Sequence, residues 1–135
     1  MQPLSMVRAL AMVNYHNTPF SRAEELERQI AWCAARFSPL GEEALLHYYR
    51  TGEWAAVKPG VMIAFYNGYR NNYDVAFKLL EKYGMTGWFF VATDFVDLPD
   101  EAQARFGEAH TFNCLGGEYA DNRVALSWNE LREMH

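Results

Sequence analysis

Apolar residues recur along this chain with two different spacings, and the two alternate. Val61-Met62-Ile63-Ala64-Phe65 is an uncharged run opened by Pro59-Gly60 and closed by the polar and turn residues Tyr66-Asn67-Gly68-Tyr69. A short uncharged run between turn signals reads as a strand covered on both faces. Directly behind it Ala76, Leu79, Leu80 and Tyr83 take helical spacing, so a helix is expected from about Asn72 to Tyr83, with Gly84 as its stop. Trp88-Phe89-Phe90-Val91 is expected to be another strand covered on both faces, ended by Thr93-Asp94.

The same alternation holds upstream. Leu10 to Tyr15 reads as a first strand, weakened in local β-propensity by Ala9 and Ala11, and runs into the polar loop Asn14-Tyr15-His16-Asn17-Thr18-Pro19. Ser21 and Glu24 have the spacing of a capping box. Behind them Leu26, Ile30, Cys33, Ala34 and Phe37 predict an amphipathic helix from Arg22 to Phe37. Pro39 and Gly41 break the chain, and Glu42 to Arg50 predicts a short helix before Gly52. Downstream, a short helix from Pro99 to Gly107 and a loop from Gly116 to Asn122 are expected. Ser127 with Glu130 repeats the capping-box spacing, and Trp128 and Leu131 begin an apolar face that His135 cuts short.

Strands joined by helices predict an α/β fold with parallel strands and flanking helices, a portion of an α/β barrel or of an open α/β sheet. Such a piece leaves at least one unpaired sheet edge, through which homo-oligomers form. Residues 1–135 read as one domain, and the barely begun last helix reads as a truncated one.

Composition narrows the function classes. Half of the 135 residues are apolar, enough for a core, and 16 % are aromatic, which suits a packed interior or a sugar-facing cleft. The net charge of -5 comes without a basic run, which argues against a nucleic-acid surface. Cys33 and Cys114 are too few and too far apart for a disulfide framework or a zinc knuckle, and Cys33 reads as a small buried hydrophobe. No stretch approaches the roughly 18–20 apolar residues of a membrane span. Met1 to Val13, with Arg8 as its basic residue, resembles a first strand more than a signal peptide. A cytoplasmic protein is expected.

In parallel α/β architectures the C-terminal strand ends share one face, where sites form. That expectation puts Tyr15 and His16, Tyr66 and Asn67, and Thr93 and Asp94 on a common rim. His16 reads as a metal ligand, a general base or a loop histidine bonded to backbone. Asp94 reads as a rim carboxylate or the cap of the following turn. Asn67-Gly68 is a hairpin dipeptide, but helical sequence follows it and a hairpin is not expected.

From Met12 onward the sequence resembles the polysaccharide deacetylases, including chitooligosaccharide and peptidoglycan deacetylases. The resemblance rests on Tyr15-His16, the Phe20 to Leu46 region, Ala64-Phe65-Tyr66-Asn67-Gly68-Tyr69-Arg70-Asn71-Asn72-Tyr73, Leu79 to Gly84, Trp88 to Val91 and Ser127 to Leu131. It implies an incomplete (β/α) barrel, represented by its N-terminal portion. It also implies a hydrolase of carbon–nitrogen, non-peptide bonds in carbohydrate metabolism, in which a zinc-like divalent metal activates water against an N-acetyl carbonyl.

The family's first motif, Thr-Phe-Asp-Asp-Gly, aligns with Ala64-Phe65-Tyr66-Asn67-Gly68. Tyr66 stands at the catalytic base position, and Asn67 at a metal-ligand position. A phenol, protonated at neutral pH, is a poor base. An amide oxygen brings no charge and suits zinc badly. The family's His-x-x-x-His ligands would begin beyond His135, and none of His16, His47, His110 and His135 has a partner at that spacing. No cofactor and no deacetylase activity are therefore expected of this chain alone. Two alternatives stand beside an inactive relative. One is a pseudoenzyme that holds a carbohydrate on Tyr15, His16, Tyr66, Tyr69 and Asp94. The other is an interaction subunit completed by another chain. Neither nucleic acid nor membrane is an expected partner.

Overall fold

The computed structural model describes residues 10–114 and 117–135. Strands β1 (Leu10–Tyr15), β2 (Ser38–Pro39), β3 (Gly60–Asn67) and β4 (Gly87–Val91) form one open, all-parallel sheet. β3 lies centrally, with β1 on one side and β2 and β4 on the other. Helices α1 (Ala23–Arg36) and α3 (Lys78–Tyr83) cover one face, while α2 (Glu42–Thr51) follows β2. Parallel strands joined by helices are the connection of an α/β fold.

Side-chain alternation along the strands decides what each face becomes. Val61, Ile63 and Phe65 meet Leu26, Ile30 and Leu80 in the core beneath the helices. Tyr15, Phe65 and Phe89 stack across three strands on that face, at 5.4 and 4.9 Å between ring centroids. On the other face Met12 is 54 % exposed and Phe90 45 %. The expectation that Trp88 to Val91 is covered on both faces is therefore corrected, because none of the described elements lies over Phe90.

Helix starts also differ from the sequence reading. The Ser21–Glu24 capping box is absent, because a 3-10 turn, Phe20–Arg22, begins one step earlier at Pro19 and takes Ser21 into its interior. Arg22 pairs instead with Glu25 at 2.8 Å. The helix expected from Asn72 opens as a π-helical turn, Asn72–Phe77, and becomes α-helical at Lys78. The hairpin does not form, as expected. Asn67 takes φ 77° and Gly68 φ 88°, and a Cβ on Gly68 would stand 2.8 Å from Val91 Cγ1. Only glycine fits that turn.

Beyond β4, the short helix α4 (Thr93–Val96) and α5 (Asp100–Ala109) build a second cluster around Tyr69, Phe95 and Ala125. Arg70 ties the excursion down, bonding Asp121 at 2.8 Å and lying 4.0 Å over the Tyr119 ring. α6 (Trp128–Met134) opens with the expected capping box of Ser127 and Glu130. Burial alone would raise the Glu130 pKa, but hydrogen bonds from Arg123 and Ser127 outweigh it and hold the carboxyl below its ordinary range. A depressed folded pKa gives stability that is full above the unfolded pKa and is lost as pH falls through the folded one. α6 is expected to loosen in acid below the ordinary Glu range, and Glu130→Gln to cost about 1–3 kcal/mol at neutral pH. Amide exchange of residues 128–134 against pH checks this; protection indifferent to acid contradicts it.

Candidate functional site

The C-terminal ends of β1, β3 and β4 bring three rings into a row on the uncovered face. His16 stacks on Tyr66 at 5.4 Å, and Tyr66 on Phe90 at 5.1 Å. Tyr66 and Phe90 are register partners across β3 and β4, which fixes their spacing. The Asn67 side-chain amide lies 3.2 Å from His16 Nδ1, within hydrogen-bond distance.

A buried polar clamp holds His16 in place. Asn72, wholly buried in the π-helical turn, donates through Nδ2 to the His16 carbonyl at 2.8 Å and to Thr18 Oγ1 at 3.0 Å. Asn71 adds bonds to the Thr18 N–H at 3.0 Å and to Glu118 at 2.9 Å. The wider π turn carries both asparagines at its start, beside the loop they grip.

The other sequence candidates lie elsewhere. Tyr15 follows the alternation to the helix side, where its hydroxyl donates to Gln29 at 2.8 Å. Burial, then the nearby Cys33 and Glu25, push its phenol above the ordinary value. Tyr69 is 2 % exposed, its ring edge-on to Phe95 and Phe112, and its oxygen accepts from Asn67 Nδ2 at 3.3 Å and the Asn113 N–H at 3.0 Å. Burial raises its pKa against the pull of those two donors. Asp94 is exposed in the first turn of α4. The structure thus brings His16, Tyr66, Asn67 and Tyr69 together and leaves Tyr15 on the opposite face. Phe90, Asn71 and Asn72 join the site without having been singled out. Strand alternation would have found Phe90, which as the neighbour of Phe89 faces the other side of the sheet, whereas no local signal marks the two asparagines.

The donors present do not fit a zinc-like ion. Asn67 turns its nitrogen to His16, whose Nδ1 is thereby occupied, and the Tyr66 ring lies between two others. Among the described residues no three His, Cys, Asp or Glu side chains gather. Nor is any described helix long and apolar enough to cross a membrane.

No family model and no curated protein match the chain. Solved structures do. A de-N-acetylase from Aggregatibacter actinomycetemcomitans superposes with TM-score 0.65 at 17 % identity, over 93 % of this chain and 50 % of its own. The Streptococcus pyogenes deacetylase PplD, solved with acetate, gives 0.61 at 16 %, over 93 % and 50 %. The BpsB deacetylase domain from Bordetella bronchiseptica gives 0.56 at 20 %, over 94 % and 49 %. This chain therefore has, over nearly all of its length, the fold of the polysaccharide deacetylases that its sequence resembles, and it spans about half the length of the solved ones.

Proposed function

We propose that this chain is a polysaccharide-deacetylase relative that holds carbohydrate on its aromatic row and, in isolation, releases no acetyl group. The observation that carries this reading is the His16–Tyr66–Phe90 stack, which occupies the strand ends where the resemblance puts a base and a metal ligand. Aromatic faces pack against the C–H surfaces of sugar rings, and the half-exposed Phe90 is open to such a contact. Asn67 and the His16 ring nitrogens add polar groups beside the rings, of the kind that orient a hydroxylated ligand. Calorimetric titration with an N-acetylated chitooligosaccharide tests the reading. Tyr66→Ala is expected to weaken binding about tenfold, or ~1.4 kcal/mol. Unchanged affinity removes Tyr66 from the site.

A second reading, self-association, is favoured by the sheet itself. β1 and β4 each pair on one side only among the described residues. Unpaired parallel edges are templates for another strand. The free cysteines Cys33 and Cys114 support a reducing compartment, the cytoplasm being our placement.

A further inference from the structure

We infer that Glu118, a residue of the excursion beyond β4, is a positioning residue that sets His16 at the end of the aromatic row. Its effect on ligand binding rests on the carbohydrate reading. His16 is exposed and lies just past the end of β1, where the strand no longer holds the chain. Among the described residues, no backbone–backbone hydrogen bond outside the strands and helices fastens residues 16–18. Side chains fasten them instead. Asn72 holds the His16 carbonyl and Thr18 Oγ1. Asn71 accepts the Thr18 N–H on its Oδ1 at 3.0 Å and the Thr18 hydroxyl on its backbone carbonyl at 3.0 Å.

Hydrogen-bond roles then select a carboxylate as the outer anchor. The Thr18 N–H can only donate, so the Asn71 side chain turns Oδ1 toward it and Nδ2 away. That Nδ2 needs acceptors, and it meets Asn17 Oδ1 and, at 2.9 Å, one oxygen of Glu118. The other Glu118 oxygen accepts the Phe20 N–H at 2.9 Å. An ionised carboxylate accepts at both oxygens and donates at neither. Glu118 is thus matched to two groups that can only donate. One sits at the far end of the loop, and the other belongs to the asparagine that grips its middle. No Lys, Arg or His lies at ion-pair distance from Glu118 among the described residues, so no cation competes for its oxygens. The next residue, Tyr119, is itself pinned, donating to Asp74 at 2.9 Å beneath the Arg70 guanidinium. A support held this way fixes the ligand-facing group before any ligand arrives.

Proton NMR of the Glu118→Ala and Glu118→Gln proteins tests the assignment, together with calorimetric titration by an N-acetylated chitooligosaccharide. Glutamine is nearly isosteric, but its amide nitrogen sets a donor against a donor. Circular dichroism confirms that each variant is folded. In both variants the His16 ring signals are expected to leave their wild-type positions in the absence of sugar, and affinity to fall about fivefold. Wild-type His16 signals and affinity in both variants, even with a lowered urea midpoint, overturn the assignment and leave the carbohydrate reading standing. Displaced His16 signals in a chain whose wild type binds no sugar overturn the carbohydrate reading and support the positioning of His16. Unmoved signals without sugar binding overturn both.

Discussion

Phe65→Ala is expected to cost about 3–5 kcal/mol, a large part of the roughly 5–15 kcal/mol that stabilises a domain. Phe65 is 1 % exposed and sits between Tyr15 and Phe89, at 5.4 and 4.9 Å, in the middle of the central strand. Truncation removes both stacks and opens a cavity that β3 cannot close, because β1 and β4 hold its backbone in register on either side. Urea denaturation reads the loss as a lower midpoint at unchanged slope. A cost below about 1 kcal/mol would mean that this row is not the centre of the core.

Asn72→Ala is expected to cost about 2–4 kcal/mol, through hydrogen bonds rather than volume. Its amide supplies the donors to the His16 carbonyl and Thr18 Oγ1, and both acceptors are left short of a partner when it goes. Asn72→Asp should be worse than alanine, although it is nearly isosteric. A carboxylate offers no donor and buries a charge, and Asn72 Oδ1 already lacks a hydrogen-bond partner among the described residues. Denaturation of the two variants gives the order. In folded Asn72→Ala protein the His16 ring signals should also lose the upfield displacement that stacking on Tyr66 imposes. An aspartate variant as stable as the wild type would contradict the clamp.

These two positions mark how far the sequence alone could be read. Phe65 was legible because an uncharged run bounded by Pro59-Gly60 and a polar rim has one economical interpretation, and the parallel direction of the strands followed from the helices between the runs. The capping box at Ser127 was legible for the same local reason. The one at Ser21 misled, because Pro19 starts a 3-10 turn before the hydroxyl can cap anything. Asn72 was not legible. Its partners lie in a loop more than fifty residues earlier, and neither propensity nor periodicity reports a side chain that bonds across such a separation. The rim was legible as a set of strand ends but not as a surface. Adjacent residues on a strand point to opposite faces, so Tyr15 turns to the core while His16, next to it, stacks on Tyr66.

The same alternation decides which rings meet at the strand ends. A row of rings stands at the C-terminal ends of β1, β3 and β4, and Asn67 spends its amide on His16 and Tyr69.

One proton NMR titration of the 135-residue protein with an N-acetylated chitooligosaccharide, in the presence of zinc, reads binding and chemistry together. The account predicts shifts concentrated on the His16, Tyr66 and Phe90 ring signals and no free-acetate methyl signal on prolonged incubation. Zinc-dependent growth of the acetate signal, or rings that do not respond to the sugar, would contradict it.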